Sequence, residues 1–174
     1  MNPSWQLRAA QRDDALCLAA LARQVFVHTY ASAGISPLVA QYLEQTFSVP
    51  ALQQVLTDRQ RRCHVVTAGE RYLGLAQTAL GVTQPLLPAG AAAELERLYV
   101  LPAMARQGLG SALLRAAQAS AKASGCGLLW LTCWSHNESA LKFYQATGFA
   151  DWGPAVFQMG SESVPNRVLA QSIH

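Results

Sequence analysis

The sequence predicts a mixed α/β domain of about seven strands and five helices, in the order β, three helices, ββ, β-α, β-α, ββ. Three observations predict it. The apolar pattern switches repeatedly between period two and period 3.6, the repeats of a half-buried strand and an amphipathic helix. With 174 residues, 51% apolar and 13% charged, the chain can bury about two thirds of the surface its unfolded form exposes. Finally, Leu95–Leu114 runs from an apolar strand through a proline turn and Gly108-Leu-Gly110 into an Ala/Leu-rich helix without a break.

The elements follow in order. Trp5–Ala10 alternates as a first strand. From Arg12 the period becomes helical, with Ala15, Leu18, Ala19, Ala22, Val25 and Phe26 on one face and Asp13 and Asp14 in the first turn, where acids favour the helix dipole. Gly34 and Pro37 interrupt, and Pro37–Phe47 forms a second helix through Leu38, Tyr42, Leu43 and Phe47. Ser48 is an N-cap for a third short helix, Pro50–Asp58, because a hydroxyl there accepts from an orphan amide and an early proline loses no helical bond. Arg62–Ala68 and Tyr72–Leu80 pair as a hairpin across Gly69-Glu70. Gln84–Gly90, with two prolines and a glycine, is a surface loop, and Ala93–Leu101 is the next strand. A helix spans Leu109–Ser124 and stops at Gly125 and Gly127. Leu128–Trp134 is apolar on both faces, which places it centrally. Asn137 opens a last helix closed by Gly148, and Trp152–Met159 and Arg167–Ile173 are strands. One domain over residues 1–174 is expected: a strand and acceptor-side helices in 1–60, a core in 61–160 and a closing strand in 161–174.

Composition narrows the function classes. The net charge is +3, and the densest basic cluster, Arg59-Gln-Arg-Arg62, suits a helix end and loop rather than a nucleic-acid groove. Cys17, Cys63, Cys126 and Cys133 lack Cys-x-x-Cys spacing and a following histidine pair, so no metal is expected; Cys63 and Cys133 lie in apolar strand patterns as small core residues. Arg8, Arg12, Asp13 and Asp14 precede any long apolar run, so no secretory h-region is read. No stretch suits a membrane span. A reduced, cytoplasmic protein with no membrane or nucleic-acid partner is the expectation.

Gly108 and Gly110, at the positive end of a helix dipole, suit a phosphate or pyrophosphate. A P-loop would need a lysine before Ser111, to reach the β/γ phosphates, and has none. A dinucleotide fingerprint would need a small residue at Leu113 and an acidic residue about 20 positions on, and lacks both. Coenzyme A remains: its pyrophosphate suits the Gly-x-Gly loop, and the amides of its pantetheine arm could pair with the edge of strand 93–101. A plain tight turn is the structural alternative.

A second motif lies downstream. Asn137-Glu-Ser-Ala-Leu-Lys-Phe-Tyr-Gln-Ala-Thr-Gly-Phe149 carries an N-cap asparagine and sets Ala140, Phe143, Tyr144 and Thr147 on one face. Together with Leu98-Tyr-Val100 and Arg106-Gln-Gly-Leu-Gly-Ser111, it resembles the GNAT superfamily of acetyl-CoA-dependent N-acetyltransferases over roughly residues 60 to 160. Phe26-Val-His-Thr-Tyr30 and Tyr42-Leu-Glu-Gln-Thr-Phe-Ser48 resemble its bacterial polyamine acetyltransferase-like branch more loosely. The resemblance implies a mostly antiparallel central sheet with helices on both faces and a splayed parallel strand pair at the coenzyme site. It assigns coenzyme binding to Leu98, Tyr99, Val100, Arg106, Gln107, Gly108, Leu109, Gly110, Ser111, Asn137, Ser139 and Tyr144. Ala105 stands where members usually carry Gln or Arg, which shifts the cationic role to Arg106. Tyr144 would protonate the departing sulfur, and Glu94 or Glu96, on one strand face by alternation, would take the amine's proton; His136 is a weaker second base.

The expected reaction is direct transfer from acetyl-CoA to a primary amine in a ternary complex, since no cysteine lies in the coenzyme motifs. Thr29, Tyr30 and Tyr42 are the candidate acceptor contacts. Only ten Asp and Glu in the whole chain argue against polyamine specificity. Peptide or protein N-acetylation and a non-catalytic acetyl-CoA sensor are the competing readings, and a homodimer through the last strands is left open.

Overall fold

The computed structural model describes residues 5–173; residues 1–4 and 174, the outermost ends of the expected domain, lie outside the described residues. The strands are β1 (Gln6–Ala9), β2 (Arg61–Ala68), β3 (Arg71–Leu80), β4 (Ala92–Val100), β5 (Leu128–Trp134), β6 (Ala150–Met159) and β7 (Glu162–Ser172). The helices are α1 (Ala15–Tyr30), α2 (Pro37–Phe47), α3 (Val49–Thr57), α4 (Leu109–Ala123) and α5 (Glu138–Ala146). The seven strands form one sheet in the order β1-β2-β3-β4-β5-β7-β6. β4 and β5 are parallel, while β1–β2, β5–β7 and β6–β7 are antiparallel. The parallel register covers three pairs, Ala92–Leu128 to Glu94–Trp130.

Two compact units divide the chain, residues 5–77 with 97–117 and residues 78–96 with 118–173. In the first, α1 buries Ala15, Leu18, Leu21, Ala22, Val25 and Phe26 on the apolar stripe that its period requires. Ser36 caps α2, its hydroxyl accepting from the Val39 amide at 3.2 Å with Pro37 in the first turn. Ser48 both ends α2 and caps α3, accepting from Ala51 at 3.4 Å. Arg23 ties α1 to α2, donating to the Phe47 carbonyl at 3.0 Å and to Glu44 at 2.8 Å. A buried carboxylate joins three further elements. Asp14, 5% exposed, takes a two-pronged bond from Arg8 at 2.7 and 2.8 Å, the Gln11 amide at 2.7 Å and the Tyr72 hydroxyl. Residues 12–14 form a short 3-10 turn that supplies Asp14 to this network before the helix proper begins.

In the second unit β6 and β7 pair from Met159–Glu162 to Ala150–Ala170. Both strands run further than the apolar pattern predicts. β7 starts at Glu162, five residues early, and includes Pro165; β5 ends opposite Asn166. A strand segment flanked on one side only tolerates a residue that cannot donate to a ladder. Pro154 lies on β6, the edge strand, where the same allowance holds. Gln118 of α4 donates to Gln171 of β7 at 2.7 Å, and Gln171 donates to the Thr147 carbonyl at 3.0 Å. Trp130 is 5% exposed, packs with Ala92 and Ala170, and donates its indole N–H to the Val82 carbonyl at 2.8 Å. In the basic stretch at 59–62, Arg61 pairs with Asp58 and Arg62 donates to the Arg59 carbonyl.

Candidate functional site

In the first unit the end of β4 leads into the glycine loop. The Leu101 amide donates to the Leu73 carbonyl at 2.9 Å, which holds the strand end beside β3. Gly74 makes that approach possible. A β-carbon there would lie 2.8 Å from the Tyr99 carbonyl oxygen, 3.1 Å from Leu113 and 3.3 Å from Val100. The close approach of Gly74 to Tyr99, Val100 and Leu113 therefore depends on the missing side chain. Sequence reading missed Gly74; its signal was a glycine inside an apolar strand, the mark of close backbone approach.

A 3-10 turn at Pro102–Met104, which periodicity did not predict, follows; the Met104 and Ala105 amides bond back to Leu101 and Pro102. The chain then enters the left-handed region twice, at Arg106 (φ 63°) and Gly108 (φ 83°). No atom lies within 4 Å of where a Gly108 β-carbon would sit. The requirement at Gly108 is thus backbone conformation rather than space. Ala112 is the first α4 residue whose amide bonds into the helix, to the Gly108 carbonyl at 3.0 Å. The amides of Leu109, Gly110 and Ser111 belong to the orphan donors of a helix start and point away along its axis. Left-handed residues ahead of such a start form a concave array of N–H groups suited to an anion. Leu109 is buried and anchors the turn, whereas Arg106 and Gln107 are exposed. Gln107 folds back onto the turn, its side-chain amide 3.5 Å from the Ala103 carbonyl. Arg106 is left as the solvent-facing cation of the loop. These features fit a pyrophosphate group.

The same unit gathers Tyr30 and Tyr42, with partners that sequence reading did not pick. Phe26 lies 4.9 Å from Tyr30 and 4.9 Å from Tyr42 between ring centroids, and Phe47 lies 6.0 Å from Tyr42. Tyr99 meets Phe47 edge-on at 6.2 Å, and the Arg97 guanidinium sits over the Phe47 ring at 5.1 Å. So Tyr99, expected to act through its backbone, also places its ring in this cluster. Burial, foremost, pushes the Tyr99 hydroxyl well above the usual phenol range. Thr29 is half-buried, one residue before Tyr30 on α1. The signal for Arg97 was its alternation with Tyr99; Phe47, 50 residues away in sequence, carried none.

In the second unit Asn137 caps α5, its side-chain oxygen accepting from the Ala140 amide at 3.1 Å. Tyr144, 8% exposed, lies edge-on to Phe143 at 5.2 Å and to Phe149 at 5.4 Å. Ser139 is exposed in the first turn of α5. Glu94 and Glu96 are half-buried on β4, and Glu94 is the residue paired with Trp130 where the parallel register ends. His136 is exposed and meets Trp134 edge-on at 5.5 Å. Cys133 is buried, and burial pushes its thiol up to about 11, which keeps it protonated and a poor nucleophile at neutral pH. Among the described residues no group of three His, Cys, Asp or Glu side chains is placed to hold a metal ion. No helix among them is long and apolar enough to cross a membrane.

Comparison with known proteins agrees with this geometry. An uncharacterized N-acetyltransferase of Mycobacterium bovis is 27% identical over 160 residues, covering 92% of this chain and 98% of its own. One from Lactobacillus delbrueckii subsp. lactis is 23% identical over 154 residues, covering 88% and 89%. Among solved structures, the PaiA N-acetyltransferase of Thermoplasma acidophilum, in complex with coenzyme A, superposes with a TM-score of 0.72 at 18% identity, covering 97% and 99%. The acetyltransferase (GNAT) family matches residues 30–149, and the chain, with its seven-stranded, mostly antiparallel sheet and one parallel pair, belongs to that family.

Proposed function

We propose that this protein moves an acetyl group from acetyl-CoA to the primary amine of a small molecule, by direct attack in a ternary complex. The observation that carries the reading is the loop at 106–111, where two left-handed residues precede the orphan amides of α4. When bound, acetyl-CoA supplies an activated acetyl group on a thiol leaving group. The amides of 108–111 hold its pyrophosphate, with Arg106 adding a cation. Backbone groups of Leu98, Tyr99 and Val100 hold the pantetheine amides and the thioester carbonyl, and Gln107, Asn137 and Ser139 give further contacts.

Glu94 or Glu96, through a water, takes a proton from the acceptor ammonium and leaves a neutral nitrogen. That nitrogen forms the new C–N bond as the C–S bond breaks, and the pair from the broken bond goes to sulfur. Tyr144 gives sulfur its phenolic proton and is reprotonated from solvent. The nitrogen loses two protons in all: the first passes to the carboxylate before attack, and the second leaves the acylated nitrogen for solvent as Tyr144 is reprotonated. The net products are the amide, the free thiol and one proton, so charge and atoms balance. Such general acid–base steps are typically worth 10²–10⁴-fold in rate. The protonated state of buried Cys133 supports direct transfer over a covalent enzyme intermediate.

Coenzyme A titration by calorimetry, followed by thiol release from acetyl-CoA against amines, amino acids, aminoglycosides and peptide N-termini, tests the reading. Binding with release on at least one small amine is expected. Binding without release on any acceptor would replace the enzyme with a sensor, and no binding would overturn the coenzyme assignment.

A further inference from the structure

The aromatic cluster of the first unit carries a charge that amine binding does not call for. Phe47 is 1% exposed, with Phe26 at 5.8 Å, Tyr42 at 6.0 Å and Tyr99 at 6.2 Å, and Tyr30 extends the group through Phe26. Arg97, half-buried on β4, lies over Phe47. Among the described residues no Asp or Glu forms an ion pair with Arg97. A guanidinium with one face on an aromatic ring and one donor engaged by the Tyr99 hydroxyl keeps further N–H groups, which suit a carboxylate. A half-buried cation without a counter-charge is costly, and a ligand anion relieves that cost.

We propose that this cluster is the acceptor subsite, and that the acceptor is an amine that also bears a carboxylate on an apolar or aromatic body, the carboxylate resting on Arg97. This rests on the amine acetyl-transfer reading above. Tyr99 links the two: the residue whose backbone is assigned to the thioester puts its own ring against Phe47. The ring and the backbone of one residue thus serve the two neighbouring parts of the proposed site. The Tyr99 side chain hydrogen-bonds Arg97 but brings it no acidic counter-charge. A polyamine is disfavoured on the same grounds, because Arg97 would repel its second ammonium. The phosphates of coenzyme A are a poorer match for Arg97, which packs against α2 three residues before the strand ends, whereas the anion loop begins at Arg106.

The test is a thiol-release assay on matched pairs: L-phenylalanine against phenethylamine, L-leucine against 3-methylbutylamine, with spermidine as the polyamine arm. The amino acid of each pair is expected to have at least about tenfold higher kcat/KM, the size of one charge-assisted contact. Arg97→Met is expected to raise the amino acid's KM by roughly tenfold to a hundredfold and erase the preference, with coenzyme A affinity unchanged; Arg97→Lys should restore part of it. Equal or better use of the decarboxylated amines or of spermidine overturns the inference and leaves the acetyltransferase reading standing. A preference that survives Arg97→Met, or a parallel loss of coenzyme A affinity, also overturns it. No acetylation of any amine overturns both readings. Should Arg97→Met fail to fold, the matched-pair ratio of the unsubstituted protein still decides.

Discussion

Gly108→Ala isolates the geometry on which the coenzyme assignment stands. Gly108 holds φ at 83° with open space around its missing β-carbon. The substitution therefore brings no clash with a neighbour, only the intrinsic cost of an L side chain in the left-handed region, about 1–2 kcal/mol. That cost has two places to go. If the loop keeps its conformation, the cost falls on folding, and Tm drops by roughly 2–8 °C at about 2–4 °C per kcal/mol for a chain of this size. If the loop relaxes instead, the amide array turns away from its anion, and coenzyme A binds more weakly by about five- to thirtyfold, at 1.4 kcal/mol per factor of ten. Calorimetric titration with coenzyme A and thermal melts of the apo protein read the two shares, which should together approach the intrinsic cost. A variant with unchanged Tm and unchanged affinity would refute the claim that the left-handed turn at 108 shapes the anion site.

Three further predictions test other parts of the molecule. Tyr144→Phe should lower kcat about ten- to a hundredfold, toward the low end of general acid effects because a thiolate is a fair leaving group, with coenzyme A affinity within about twofold; full kcat would remove the acid role. Gly74→Ala forces a β-carbon to 2.8 Å from the Tyr99 carbonyl, an overpacking that should cost about 1–3 kcal/mol in denaturant unfolding. The Arg8 fork, foremost, holds the Asp14 carboxyl well below the usual carboxylate range. Because the folded pKa lies under the unfolded value of about 3.9, this stability is fully present above about pH 5 and fades as pH falls toward the folded value. Asp14→Asn should therefore flatten the acid limb of the stability profile while lowering stability at pH 7, measured by urea titration across pH.

What the sequence made legible were features whose cause is local. α2 runs from Pro37 to Phe47 as expected because Ser36 caps it, a proline fixes its first turn, and Ser48 turns to extended backbone to cap α3. β5 runs from Leu128 to Trp134 because Gly127 and Ser135 bound a run apolar on both faces. Even the loop at 106–111 is local, since a helix start and a flexible residue suffice to aim its amides. What stayed hidden depends on contacts between residues distant in sequence. Pro165 reads as a strand breaker, and only the end of β5 opposite Asn166 shows why β7 can pass through it.

The cluster around Phe47 shows the same limit in functional terms. In sequence Phe47 is the last apolar residue of a helix, and Arg97 is one charge among thirteen Lys and Arg. Neither carries meaning until the fold lays one over the other at 5.1 Å. The donor site is read from a backbone motif because every pyrophosphate asks for the same amides. The proposed acceptor site draws on side chains from α1, α2 and β4, and such chemistry becomes visible only where they meet.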